Sequence, residues 1–146
     1  MWRFCYACCI QAKGKQLSVG QDAPTRPAPL IYVVDDEPVI ATTLAAILAQ
    51  SGYSARAFID PKEALKAAQT DPPALLLSDV MMPGMSGVDL ALRIREHIPG
   101  CKVLLFSGAA AIADFLRTAQ VEGHHFDLLT KPIYPSDLLR AIRALD

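Results

Sequence analysis

Acidic residues follow two apolar runs of the sequence. The pair Asp35-Asp36 comes directly after the run 30–34 (LIYVV), and Asp79 comes directly after the run 74–78 (ALLLS). A carboxylate at the end of a buried strand is costly to remove from water unless it is paired or bound to a metal. We therefore predict that these three carboxylates form a cation site at one edge of a sheet.

Two later apolar runs end in groups that suit a phosphoryl group, since Ser107 follows the run 103–106 and Lys131 follows the run 126–130. Three carboxylates within a few ångströms repel one another, and a hard divalent ion such as Mg²⁺, which prefers oxygen ligands, relieves that repulsion. The ion, the Lys131 ammonium and the Ser107 hydroxyl would together neutralise a phosphoryl group in transfer. Asp79 is the candidate nucleophile, because it starts a loop that contains glycine and proline.

The elements that carry these residues follow from a repeated pattern. Five short apolar runs alternate with longer segments of helical period, which is typical of βαβ units around a parallel sheet. We predict an α/β fold with a doubly wound five-stranded parallel sheet in the order 2-1-3-4-5, the flavodoxin-like arrangement. Ligands bind where the winding of such a sheet reverses, which here is between strands 1 and 3. The predicted strands are about 30–34, 53–58, 74–78, 102–106 and 125–130, and the predicted helices begin near 38, 61, 86, 110 and 136.

Two of these helices have sequence signals for their first residues. Asp60 precedes Pro61, and Ser86 stands three residues before Asp89, so that each side chain can accept a hydrogen bond from an exposed backbone amide. We therefore interpret Asp60 as a helix cap and not as a functional acid. The helix after Ser86 is expected to direct Val88, Leu92 and Ile94 inward. Asp36 could instead serve only as the N-terminal cap of the first helix and have no role in a cation site.

The composition limits the possible functions. With 146 residues, of which 52% are hydrophobic and 20% charged, the chain fits one globular domain. The net charge of -1 argues against a nucleic-acid partner, and no apolar run reaches the roughly 20 residues of a membrane span. The folded part contains one cysteine, Cys101, so it has no disulfide of its own. That favours a reducing, cytoplasmic setting.

The first 28 residues differ from the rest of the chain. Residues 18–29 contain three prolines and one glycine, which indicates a linker. We predict that residues 1–28 are a disordered extension and that residues 29–146 form the domain. The cysteines at 5, 8 and 9 have no nearby fourth ligand, so a zinc site is not favoured there.

Four motifs in this order resemble the receiver domains of two-component response regulators, and the resemblance covers residues 30–146. The motifs are Val33-Val34-Asp35-Asp36-Glu37, the segment 78–87 (SDVMMPGMSG), Phe106-Ser107-Gly108 and the segment 129–133 (LTKPI).

The resemblance implies a signalling module and not an enzyme, apart from catalysis of its own phosphorylation and dephosphorylation. Asp79 would accept a phosphoryl group from the phosphohistidine of a sensor histidine kinase or a histidine phosphotransfer protein. Asp36, Asp79 and the Met81 backbone carbonyl would bind Mg²⁺ directly, and Asp35 would bind it through water. The resemblance also implies that Ser107 and Lys131 contact the phosphoryl oxygens and that the Lys131-Pro132 peptide bond is cis.

A stand-alone receiver is expected to pass the signal to an unidentified protein through the face of its fourth helix, fifth strand and fifth helix. Leu128 departs from the family pattern, which often has an aromatic residue three positions before the lysine. Two other interpretations stay open. A magnesium-dependent phosphatase with an aspartyl-phosphate intermediate would need an acid two residues after the nucleophile, where this chain has Met81. A receiver-like binding module would not be phosphorylated.

Overall fold

The computed structural model describes residues 28–111, 113–114 and 126–145. The predicted extension 1–28, except its last residue, lies outside the described part of the chain. Of the fourth predicted helix, residues 109–111 and 113–114 are described and are helical, and the remainder also lies outside.

Strands and helices alternate along the described chain, as the pattern of apolar runs predicts. The strands are short, and three of them are largely apolar and buried, whereas the strand 54–58 is mostly exposed. Proline stands in the first turn of the helices that begin at 38, 61 and 135. The elements are β1 (Leu30–Val34), α1 (Pro38–Gln50), β2 (Ser54–Phe58), α2 (Pro61–Ala68), β3 (Leu75–Asp79), α3 (Gly87–His97), β4 (Lys102–Ser107), β5 (Asp127–Thr130) and the C-terminal helix (Pro135–Ala144).

The five strands form one parallel sheet in the order β2-β1-β3-β4-β5. The predicted doubly wound α/β fold is therefore confirmed, including the reversal of winding between β1 and β3. The predicted strand bounds differ from the observed ones by one or two residues in four of the five strands. The third strand runs from Leu75 to Asp79, because Asp79 still pairs in register with Phe106 of β4.

Two apolar layers cover the sheet, one on each face. Helices α2 and α3 pack on one face through residues such as Ala64, Leu90 and Ile94. On the other face, α1 and the C-terminal helix contribute Leu44 and Leu138 to a second cluster. Strand β3 is buried along its whole length, which is what a central parallel strand requires. The carboxyl ends of the central strands are therefore held in place by packing on both faces of the sheet.

The predicted caps of α2 and α3 are confirmed. The Asp60 carboxylate accepts a hydrogen bond from the Lys62 amide at 2.9 Å, and the Ser86 hydroxyl accepts one from the Asp89 amide at 3.1 Å.

The predicted inward face of α3 is only partly right. Ile94 is buried, whereas Leu92 is partly exposed and Leu90 and Ala91 occupy the core instead. The buried positions 87, 90, 91 and 94 follow the i, i+3, i+4, i+7 spacing of one helix face, and Leu92 lies outside that face. Within the described residues, no helix is both long and apolar enough to cross a membrane.

Candidate phosphoryl-transfer site

Three carboxylates meet where β1 and β3 end. Asp35 and Asp36 follow β1, and Asp79 is the last residue of β3. One carboxylate oxygen from each residue lies within 4.8 Å of the others. The pairing of β1 with β3 explains this cluster, because parallel neighbours bring their carboxyl ends to the same edge. The sequence prediction that these three acids lie together is therefore correct in its geometry.

Asp79 is held by both of its carboxylate oxygens. The side chain is almost fully buried, since the residue is 4% exposed. Oδ1 accepts a hydrogen bond from the Met81 amide at 3.2 Å, and Oδ2 accepts one from Lys131 Nζ at 3.0 Å. The loop after β3 and the segment after β5 therefore fix the orientation of this carboxylate together.

Asp35 is completely buried, and only one of its two carboxylate oxygens has a hydrogen bond. Its Oδ1 accepts a hydrogen bond from the Glu37 amide at 2.9 Å. Its Oδ2 has no hydrogen-bond partner and lies 3.6 Å from Lys131 Nζ, close enough for an ion pair. Burial raises the pKa of Asp35 to about 6, against the opposing effects of the Glu37 amide and Lys131 and with support from Asp79 and Asp36. An unsatisfied buried carboxylate oxygen at this edge is a group that a cation or an ordered water could satisfy.

Asp36 and Met81 form the open side of the site. Asp36 is exposed, and α1 has Glu37 at its N-cap with no side-chain hydrogen bond. The capping alternative for Asp36 therefore finds no support in the structure. Met81 directs its side chain outward, with 63% of the residue exposed, so its backbone is the part of Met81 that faces Asp79. Solvent can thus reach the acidic cluster from this side.

Lys131 provides the positive charge of the site. Besides its contacts with Asp79 and Asp35, its ammonium lies 5.4 Å from the centre of the Phe106 ring. Burial alone would lower the pKa of Lys131, but the hydrogen bond and charge of Asp79, with the charges of Asp35 and Glu37, raise it overall. The ammonium therefore stays charged at neutral pH and offsets part of the repulsion among the carboxylates.

Ser107 joins the same edge through its backbone. It is the last residue of β4, is 3% exposed, and its carbonyl accepts a hydrogen bond from the Lys131 amide at 2.9 Å. The next peptide bond, Lys131-Pro132, is cis. The seven residues that the sequence assigned to the site therefore lie at or just after the carboxyl ends of β1, β3, β4 and β5.

Two contributors to the site were missed by the sequence reasoning. Glu37 satisfies Asp35 through its backbone amide, and Phe106 offers its ring face to Lys131. The position of Phe106 directly before Ser107, opposite Asp79 in the strand register, could have indicated its role.

The donor set fits a hard divalent cation. It consists of carboxylate oxygens that range from buried to exposed, and oxygen ligands with room for water suit Mg²⁺. The buried Oδ2 of Asp35, which has no hydrogen bond, supports this fit.

Comparison with known proteins gives the same family in each case. The family described as "Response regulator receiver domain" matches residues 31–143. The chain is 35% identical over 115 residues to the probable transcriptional regulatory protein TcrX of Mycobacterium tuberculosis, which covers 79% of this chain and 48% of that protein. It is 32% identical over 120 residues to the response regulator receiver protein CpdR of Brucella abortus, covering 79% of this chain and 94% of the relative.

A solved structure has the same fold. The CheY-like receiver domain protein of Methanospirillum hungatei superposes with a TM-score of 0.71 at 26% identity, and the match covers 81% of this chain and 93% of that structure. The chain spans about half the length of several curated relatives that it matches, TcrX among them.

Proposed function

Because the chain belongs to the family of response regulator receiver domains, we propose that Asp79 accepts a phosphoryl group from the phosphohistidine of a sensor histidine kinase or a histidine phosphotransfer protein. The observation that carries this proposal is the environment of Asp79. Its Oδ2 lies 3.0 Å from Lys131 Nζ, and one of its carboxylate oxygens lies within 4.8 Å of an oxygen from each of the two other acids. A nucleophile and one positive charge that would neutralise the incoming group, the Lys131 ammonium, are therefore already in place, and the neighbouring acids could hold a cation as a second.

The transfer is a displacement at phosphorus. A carboxylate oxygen of Asp79 attacks the phosphorus atom, the P–N bond to the donor imidazole breaks, and its electron pair stays on the imidazole nitrogen. The Met81 amide and Lys131 orient the attacking carboxylate, so little reorganisation is needed before the reaction. Lys131 also neutralises charge on the phosphoryl oxygens as they approach.

The acidic cluster is the proposed site of Mg²⁺, which receiver domains bind at an acidic pocket. Asp36, Asp79 and the Met81 carbonyl would hold the ion directly and Asp35 through water. When bound, the ion stabilises negative charge on the phosphoryl group in the transition state. Without a cation Asp35 and Asp36 would repel an anionic donor, and an ion bound to them would reduce this repulsion.

The output of the switch is proposed to pass through Ser107. Its hydroxyl would bind the phosphoryl group. Its carbonyl, at the end of β4, accepts a hydrogen bond from the Lys131 amide at 2.9 Å. A change at Asp79 can therefore reach β5 and the C-terminal helix, the face on which we place an unidentified protein target. The chain would catalyse only its own phosphorylation and dephosphorylation. Cys101 is a free, buried thiol, in keeping with a proposed reducing, cytoplasmic setting.

The test is labelling with a small phosphodonor such as acetyl phosphate, followed by intact-mass spectrometry. We expect the mass of one phosphoryl group, sensitivity to hydroxylamine as for an acyl phosphate, and dependence on Mg²⁺. Asp79→Asn should take no label. Asp137→Asn, which alters an exposed acid paired with Arg140, is the matched control and should label like the wild type. Equal labelling of Asp79→Asn, or full labelling in EDTA, would refute the proposal.

A further inference from the structure

Helix α3 begins against the backbone of Asp79. Its first residue, Gly87, is buried, and a Cβ atom built on it would lie 2.1 Å from the Asp79 carbonyl oxygen and 2.9 Å from the Asp79 carbonyl carbon. The same atom would lie 3.0 Å from Cα of Val80. Non-bonded carbon atoms are at their best separation near 3.5 to 4.0 Å, so no side chain fits here without movement of the backbone.

The backbone at this point cannot move freely, because neighbouring elements hold it by hydrogen bonds. The Gly87 amide donates to the Val80 carbonyl at 2.9 Å, and the Val80 amide donates to the Phe106 carbonyl at 3.0 Å. The buried Ser78 hydroxyl donates to the Asp79 carbonyl at 3.0 Å. The peptide after Asp79 is thus held between β4 and the start of α3.

The usual reasons for a glycine do not apply at this position. The glycines with positive φ in the described chain are Gly52 and Gly84, so Gly87 has no left-handed backbone to accommodate. Glycine is also a poor helix former compared with alanine. Without the contact to Asp79, alanine would be the better residue at the start of α3.

We infer that Gly87, with Ser78, is a positioning residue for the phosphoacceptor, an inference that rests on the proposed role of Asp79. The small size of Gly87 lets the Asp79 peptide lie against α3. That peptide sets the position from which the carboxylate reaches the Met81 amide and Lys131 Nζ. A displacement of about 1 Å in a reacting group can cost about a hundredfold in rate. Replacement of Gly87 by alanine should therefore slow phosphorylation of Asp79 more than the addition of one methyl group would suggest.

The experiment compares Gly87→Ala with Gly100→Ala. A Cβ on Gly100 would meet nothing within 4 Å, and this glycine has no positive φ, so its variant controls for the change in backbone freedom. We measure the rate of labelling by acetyl phosphate at saturating Mg²⁺. Gly87→Ala should be labelled at least tenfold more slowly than the wild type, and Gly100→Ala at the wild-type rate. A wild-type rate for a folded Gly87→Ala would overturn the inference.

A second variant covers the case in which Gly87→Ala does not fold. Ser78→Ala removes the hydroxyl from the Asp79 carbonyl without adding bulk, and a folded Ser78→Ala should also be labelled severalfold more slowly. If Ser78→Ala then keeps the wild-type rate, the inference fails.

Failure of the proposed function can be recognised separately, because wild-type protein would then take no label on Asp79. In that case calorimetric titration with Mg²⁺ decides between the outcomes. If whichever of Gly87→Ala and Ser78→Ala is folded binds Mg²⁺ more weakly than Gly100→Ala does, the positioning role is supported. Equal Mg²⁺ binding overturns it.

Discussion

The buried carboxylate of Asp35 should make the metal-free protein less stable as the pH rises through the range 4 to 6.5. Its pKa is about 6 in the folded chain against an ordinary value of 3.8, chiefly because burial disfavours the charged form. Between these two values the folded state binds more protons than the unfolded state, so this residue's contribution to the free energy of unfolding falls as pH increases. The loss is complete above the folded pKa.

The size of this effect follows from the shift. A difference of about two pKa units corresponds to roughly 3 kcal/mol at about 1.4 kcal/mol per unit. Asp35→Asn removes the charge but keeps an oxygen that can accept the Glu37 amide. Loss of the ion pair with Lys131, 3.6 Å away, opposes part of the gain. In EDTA at pH 7.5 we therefore expect Asp35→Asn to be about 1 to 3 kcal/mol more stable than the wild type.

Urea unfolding followed by far-UV circular dichroism between pH 4 and 8 measures this difference. At pH 4 the wild-type Asp35 is largely protonated, so the two proteins should be nearly equal in stability, and the difference should grow up to about pH 6.5. Asp137→Asn, the exposed control, should show no such growth. With Mg²⁺ present the advantage of Asp35→Asn should shrink, because an ion that binds only the folded state stabilises the wild type more. A stability difference that stays constant from pH 4 to 7 would refute the reasoning.

Three further predictions concern the metal, the chain terminus and the switch. Asp36→Ala should weaken Mg²⁺ binding at least tenfold, about 1.4 kcal/mol, without loss of fold stability, whereas an unstable variant with unchanged affinity would contradict its role as a ligand. A chain that starts at Ala28 should melt within a few degrees of the full chain, and a large drop in Tm would show that the removed residues are docked. Ser107→Ala should still be phosphorylated on Asp79 but lose most of the amide NMR shifts that beryllofluoride induces over 107–135, and a full wild-type pattern would contradict this. Leu128→Ala should mainly lower Tm.

Much of the fold could be read from the sequence because the three central strands are short apolar runs. The acids after β1 and β3 were predicted to meet, since only the order of the strands was needed to place them together. Helix α3 illustrates the limit of that reasoning. Its start after the Ser86 cap was predicted correctly, but which of its apolar residues face the sheet depends on how the helix packs in three dimensions. Leu90 is consequently in the core where Leu92 was expected.

Within the site, residue types could be predicted but their degree of burial could not. Asp35 and Asp36 are adjacent in sequence, yet one is fully buried and the other exposed. The difference arises because Asp35 continues the β1 pairing, its amide donating to the Phe58 carbonyl at 3.1 Å. The close approach of Gly87 to Asp79 was likewise hidden, because it depends on the position of α3 relative to β3. These are three-dimensional relations that no spacing in the sequence expresses.

The balance of charge at the site indicates how phosphorylation would act on the rest of the fold. Among the described residues, three carboxylates lie near one ammonium, so the metal-free edge has an excess of negative charge that Lys131 alone cannot offset. On the proposed chemistry, phosphorylation removes the charge of Asp79 and brings a more highly charged group that lies farther from the backbone. Lys131 must then exchange its acceptor on Asp79 for a phosphoryl oxygen. Because the Lys131 amide is bonded to the Ser107 carbonyl at 2.9 Å, this exchange acts directly on the ends of β4 and β5. A switch of this kind needs no aromatic residue at position 128.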